Sequence, residues 1–209
     1  RSWMPQVHVD FHEQGFNEPY YFAPAAEPYH EIITNWQREF QKEIGKNHAH
    51  YFDQNGWLYF TKERFDLLYP SYGDTYPIYN GSIGMTYEQG GIRAGLGIIN
   101  EDGDTLTLRA RIAHHLTTSL STIELSSIHQ KKLVSEFSQF FEQAVSKGVG
   151  PYKSFVIKAD AKKQGNLHQL LALLDEHGIQ YGNGVIGSAK GLNYLSSKEE
   201  QFTISKEDI

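Results

Sequence analysis

The sequence contains no cysteine. Disulfides, thiolate metal sites and a cysteine nucleophile are therefore excluded. The compartment stays open on that ground, because secreted bacterial chains often lack cysteine too. Long hydrophobic runs are also missing. None approaches the ~20 residues that cross a bilayer, and no signal-peptide pattern occurs in the sequence. Positive charge is in deficit, with 19 Lys+Arg against 25 Asp+Glu and a formal net charge of −6. A nucleic-acid partner is thereby disfavoured, since it would need a basic face. There is no internal repeat, low-complexity tract or long run of like charge. No His-Glu-x-x-His or His-x-x-Glu zinc motif occurs, no Gly-x-Ser-x-Gly elbow, and no glycine-rich phosphate loop around Gly90, Gly91, Gly95 and Gly97.

What is present fits a folded chain. Its 209 residues predict one or two domains, and 39% hydrophobic with 21% charged residues argues against disorder. Aromatic residues make up 13% of the chain, and an acidic, aromatic-rich composition suits a cleft for a polar organic substrate. The sequence opens on Arg1 and reads as a strand almost at once, so we expect an internal piece of a longer protein.

Residues 7–12 alternate strictly, with Val7, Val9 and Phe11 on one face and His8, Asp10 and His12 on the other. Period-two alternation predicts a strand with one buried face. Residues 20–22 read as a short strand between prolines. From about 29 to 45, Ile32, Ile33, Trp36, Phe40 and Ile44 recur at helical spacing, and Gly45 reads as the stop. Residues 46–80 look loop-rich, with a strand only at 57–60. Residues 83–88 predict a second strand, closed by Gln89-Gly90-Gly91. After a polar turn at 100–104, one long helix is expected from about 105 to 147. Leu116, Leu120, Ile123, Val134, Phe137, Phe141 and Val145 form its apolar stripe. A break at 148–151 leads to a small segment with strands at 154–158, 179–181 and 201–204 and a helix at 165–177. The expected units are 1–148 and 149–209.

Two places could carry chemistry. His8, Asp10 and His12 project from one strand face, and imidazole and carboxylate are common zinc ligands. His12 stands at the strand's carboxyl end, where open α/β sheets build their sites. The plainer alternative is a polar face whose histidines bond to neighbouring backbone. Glu88 repeats the pattern on the second strand, where a carboxylate can act as a base toward metal-bound water. Its plainer alternative is an exposed strand terminus. His48 and His50 are read as surface residues in an irregular stretch, and His114-His115 as a solvated helix face. Glu27 and His30 are spaced three apart, but Pro28 spoils that stretch as a ligand helix.

Three segments together carry a resemblance: Val7-His8-Val9-Asp10-Phe11-His12-Glu13-Gln14-Gly15, the Tyr-Gly-Asp-Thr of residues 72–75, and Asn80-Gly81-Ser82-Ile83-Gly84-Met85-Thr86-Tyr87-Glu88. They resemble the second half of a zinc carboxypeptidase domain, in the large branch of that family found in Bacteroidetes-type bacteria, over roughly residues 1–146. The resemblance implies an α/β fold, a three-layer α/β/α mixed sheet seen in part, followed by a small α+β segment. It implies zinc as cofactor with His12 as one ligand, Glu88 as general base, and Tyr69, Tyr72 and Asp74 at the substrate. A His-x-x-Glu pair and substrate-binding arginines would lie before Arg1. The match departs where His12 is followed by Glu13-Gln14-Gly15 instead of Ser-x-Tyr, and where Gln89-Gly90 replaces a Leu-Arg-like pair.

The first expectation is thus a metallocarboxypeptidase-like hydrolase acting on peptides, located in the periplasm or outside the cell. The second is a zinc amidohydrolase for N-acyl amino acids or cell-wall peptides. The third is a non-catalytic, aromatic-lined binding module with no need of Glu88. Residues 1–209 alone are expected to bind zinc weakly and to lack peptidase activity, because one clear ligand is too few. Oligomeric state is not legible in the sequence.

Overall fold

The computed structural model describes residues 3–209, in two compact units divided between Gly150 and Pro151. In the first, β1 (Val7–Gly15), β2 (Tyr20–Tyr21) and β3 (Ala26–Tyr29) precede α1 (Asn35–Asn55). Then come β4 (Tyr59–Phe60), β5 (Asp66–Leu67), the one-turn α2 (Thr75–Ile78) and β6 (Ile83–Ile92). The hairpin β7 (Gly97–Ile99) and β8 (Thr105–Thr107) leads into α3 (Leu108–Ile128) and α4 (Gln130–Ser146). The main sheet has the order β1-β6-β2-β4. It is mixed: β1 and β6 run parallel, β2 is antiparallel to β6, and β2 and β4 are parallel.

The alternation of β1 decides which face is buried. Val7 and Val9, with Ile83, Met85 and Tyr87 of β6, pack into a core that also takes Tyr20, Phe22, Phe40, Ile44, Phe52 and Leu133. Helices α1 and α3 lie against each other and against β6. The opposite face carries His8, Asp10 and His12 of β1 beside Gly84, Thr86 and Glu88 of β6. Among the described residues it is covered by the 66–82 segment with α2, where a second helical layer was expected. Gly84 permits this cover, because a Cβ there would overlap the backbone carbonyl of Asp74.

Several sequence expectations are corrected. Helix α1 starts at a capping box, in which the Thr34 side chain accepts from the Gln37 N–H and Gln37 returns the bond, and it runs through Gly45 to a left-handed Gly56. Gly45 does not stop the helix; it lets the Ala23 carbonyl and Pro24 approach where a Cβ would overlap them. The stretch around His48, expected to be irregular, is therefore helical. Strand β6 continues through Gly90-Gly91 to Ile92. The single helix expected over 105–147 is two, divided at His129, and its first residues form β8.

The apolar stripe assigned to this stretch faces out along α3: Leu116, Leu120 and Ile123 are all more than half exposed. The buried face of α3 is polar instead, made of Arg111, His114, Thr118, Ser121 and Thr122. Each of these side chains finds a partner across the seam. The Tyr20 hydroxyl lies 2.9 Å from Thr118 Oγ1, the Tyr87 hydroxyl 2.7 Å from Thr122 Oγ1, and His48 Nδ1 2.7 Å from Ser121 Oγ. Hydrogen bonding is what makes such burial tolerable.

The second unit holds a 3-10 turn (Ala161–Lys163), α5 (Gln164–Glu176), and an antiparallel ribbon of β9 (Gly187–Asn193) and β10 (Lys198–Ile204). The expected strands at 154–158 and 179–181 are not formed, while β9 was not anticipated. Buried Asp208 ties the unit's ends together. It accepts from the N–H groups of Ala159 and Ser205 and pairs with Lys158.

Candidate active site

The parallel pairing of β1 and β6 sets His12 directly opposite Glu88 and Asp10 opposite Thr86. All four side chains stand on the face away from the core. His12 Nδ1 lies 3.9 Å from Glu88 Oε1, and His12 Nε2 lies 3.2 Å from Asp10 Oδ2. The imidazole is half exposed at 54%, whereas the Glu88 side chain is only 8% exposed.

Asp74 enters from the covering segment. Its Oδ2 accepts from the Thr86 hydroxyl at 2.8 Å and its Oδ1 from the Thr75 hydroxyl at 3.1 Å. Gly73, one residue earlier, lies against Asp10 so closely that a Cβ would overlap the carboxylate. The covering segment is thus fitted to the sheet face at both Asp10 of β1 and Gly84 of β6. Tyr69 and Tyr72 lie on this segment with ring centroids 5.2 Å apart in an edge-to-face pair, and both are exposed.

Three carboxylates and one imidazole converge here, and the electrostatics follow from burial. The Glu88 carboxyl is pushed above its ordinary 4.5, first by burial and then by the negative charges of Asp10 and Asp74, with His12 opposing. Asp74 is also raised by burial, against the hydroxyl bonds from Thr86 and Thr75. Tyr21, buried in β2 and paired to Glu88 in register, has its phenol raised by burial and by Asp74 and Glu88. A carboxylate held above its usual range beside an imidazole is suited to taking and returning a proton.

The structure therefore brings together His12, Glu88 and Asp74, and places Tyr69 and Tyr72 on the segment that covers them. Sequence reasoning missed Thr86, Gly73 and Tyr21. Thr86 was legible in principle, because it precedes Glu88 by two residues and so shares its strand face. Gly73 and Tyr21 depend on contacts between segments distant in sequence, which no local pattern reports. His114, expected on a solvated face, is buried: its Nδ1 lies 2.7 Å from Gln89 Oε1 and its ring packs on Trp57. His48 is likewise fully buried.

His12 offers an imidazole nitrogen facing a carboxylate, but among the described residues no group of three or more His, Cys, Asp or Glu is arranged to hold a metal ion by itself. A catalytic zinc normally takes three protein ligands.

Glu88 carries a stability prediction. Its folded pKa lies above its ordinary value, so the folded state holds this proton more tightly than the unfolded state. The ionised carboxylate consequently destabilises the fold at neutral pH, and this cost disappears as pH falls below about 4.5. Glu88→Gln is expected to raise the melting temperature at pH 7, with the gain shrinking toward pH 4. An unchanged or lowered melting temperature at pH 7 would remove the burial argument.

Among the described residues no helix is long and apolar enough to cross a membrane. No family model, curated protein or solved structure matches the chain.

Proposed function

We propose that this chain is part of a zinc-dependent, metallocarboxypeptidase-like hydrolase that cleaves peptide bonds. One observation supports it above the others: His12 and Glu88 stand directly opposite each other on adjacent parallel strands, 3.9 Å apart, with the carboxylate buried and the imidazole open. His12 is proposed as one zinc ligand, with zinc as cofactor and the other ligands supplied by polypeptide outside residues 1–209. A zinc so held supplies Lewis acidity and makes a bound water acidic near pH 7. Glu88 accepts the proton of the attacking water. It later delivers that proton to the amine leaving as the C–N bond breaks, which its raised pKa favours. Asp74 holds Thr86 and the covering segment in place, while Tyr69 and Tyr72 present exposed rings to a peptide substrate. The three-layer α/β/α carboxypeptidase fold, and the periplasm or the exterior as location, belong to this same proposal.

An amidohydrolase for N-acyl amino acids or cell-wall peptides would use the same pair and differ in the groups that bind substrate. A binding module would not need Glu88.

The test separates ligand from base. In the longer protein carrying the remaining ligands, His12→Ala is expected to lose zinc as well as activity, whereas Glu88→Gln keeps zinc. Metal analysis after dialysis decides this. Full zinc retention in His12→Ala would remove His12 from the site. For residues 1–209 alone, only weak zinc binding is expected, and a tightly held stoichiometric zinc would contradict the assignment of a single ligand.

A further inference from the structure

Strand β1 is an edge of the main sheet, and β6 is its one neighbour among the described residues. The Ile83 N–H donates to the Gln6 carbonyl at 2.9 Å, and Val7 stands opposite Ile83. In a parallel pair, alternate residues turn both backbone groups to the same neighbour. His8, Asp10 and His12 therefore bond to β6, while Val7, Val9 and Phe11 turn their N–H and C=O groups to the open edge. Proteins blunt such edges by keeping them short or by placing proline or lysine there. At the other edge β4 has two residues, whereas β1 has nine and contains neither proline nor lysine.

The core side of this edge is flanked by apolar surface. Phe11 is 44% exposed, with its ring 5.1 Å from that of His115 on α3. Phe11, Ile112 and Leu116 line a groove of about 380 Å³. Leu120 and Ile123 continue the stripe along the same face of α3, open to solvent. With nine residues in β1 and 21 in α3, strand and helix are each ~30 Å long, so backbone row and stripe match in length. A helix in the groove would cover the stripe and leave the backbone row open. An extended strand satisfies both, because its own backbone completes the ladder while alternate side chains reach α3. Val7 and Val9 are half-buried against the main core together with Leu125 of α3, so a strand beside them extends that core, as parts of one domain do.

We infer that the open edge of β1 and the exposed stripe of α3 form one docking surface for an extended strand of the same protein, contributed by polypeptide outside residues 1–209. The inference goes beyond the hydrolase reading and does not depend on it, since backbone and apolar groups define the surface, not His12 or Glu88.

Hydrogen exchange of single amides, read by NMR, tests this without zinc or turnover. In residues 1–209 the amides of His8, Asp10 and His12 are expected to be protected, and those of Val7, Val9 and Phe11 to exchange freely. In the longer protein the latter three are expected to slow by at least about tenfold, because exchange then waits for the added strand to open. Val9→Pro removes an N–H that faces the open edge, which an edge strand tolerates. In residues 1–209 it is expected to leave His8 and His12 protected, and in the longer protein to return the Phe11 amide to free exchange. Leu116→Lys with Leu120→Lys checks the stripe by a second route: the pair is expected to lower the melting temperature of the longer protein and leave that of residues 1–209 unchanged. Free exchange of Val7, Val9 and Phe11 in the longer protein would overturn the inference, as would equal losses of melting temperature in both. Protection of the three amides in residues 1–209 that rises with concentration and vanishes in Val9→Pro would make a second copy the occupant, and would overturn it too.

Discussion

Glu88→Gln in the complete enzyme is expected to lower turnover by about 10²–10⁴-fold, the usual contribution of general acid–base catalysis. The substitution keeps size and shape, so the buried middle of β6 has no reason to rearrange. What it removes is basicity. Glu88 is placed to use that basicity, because burial and two neighbouring carboxylates raise its proton affinity while His12 stays open to solvent beside it. Zinc content and folding are expected to stay as in the parent, since Glu88 is proposed as base and not as ligand. The melting temperature is expected to rise as activity falls, a pairing that an exposed strand-end carboxylate would not produce. The assay is hydrolysis of a panel of blocked dipeptides, run alongside metal analysis. Near-parental turnover on any substrate that the parent cleaves would make Glu88 dispensable and favour the binding-module alternative.

The sequence disclosed this site unevenly, for physical reasons. Strand alternation is a local signal, so the two faces of residues 7–12 could be read directly, but the strand ends expected at His12 and Glu88 could not: β1 runs on to Gly15 and β6 to Ile92, because the two continue to pair past them. The pairing of β1 with β6 joins residues more than 70 apart, and resemblance, not periodicity, suggested it. Glycine misled twice in the same way. Gly45 and Gly90-Gly91 look like stops, yet each lies inside an element: another backbone closes on Gly45 and Gly90, and the Arg111 and Glu13 side chains close on Gly91. The start of α1 was present in the sequence as Thr34 with Gln37 three residues on, but the apolar spacing that begins earlier obscured it. Helix α3 is the instructive failure. Its apolar stripe is real and predicts a buried face, but the face that packs is polar, because Tyr20, Tyr87, Asn47 and His48 supply partners for its hydroxyls. Hydropathy alone does not see such partners. In residues 151–209 the error ran the other way, with extended backbone at 154–158 read as a strand although it joins no ladder.

The polar seam between α1 and α3 leads to the second large expected effect, acid destabilisation of residues 1–150. His48 is fully buried, with its ring edge-to-face against Phe22 and Tyr87 and its Nδ1 on the Ser121 hydroxyl. No carboxylate is among these contacts, and burial pushes its pKa from 6.5 down to about 3. His114 is lowered to about 4, by burial and then by the charge of neighbouring His115. Both histidines bind a proton more readily in the unfolded chain. Their neutral forms thus favour folding above pH 6.5, and that contribution is lost progressively as pH falls below it. At about 1.4 kcal/mol per pH unit, His48 alone removes roughly 2–3 kcal/mol by pH 4.5, and His114 adds in the same direction. Glu88 and Asp74, whose folded pKa values are raised, oppose this in part. Against a typical total of 5–15 kcal/mol, the histidine contribution is large. His48→Leu isolates it. Leucine keeps the apolar contacts and cannot be protonated, and the Ser121 hydroxyl retains the Asn47 amide at 2.8 Å as a partner. Between pH 7 and pH 4.5, wild type is expected to lose roughly 5–10 °C more in melting temperature than His48→Leu, from about 2–4 °C per kcal/mol for a unit of this size. Parallel losses in the two proteins would mean that His48 is not held neutral by burial, and that the acid limb arises elsewhere.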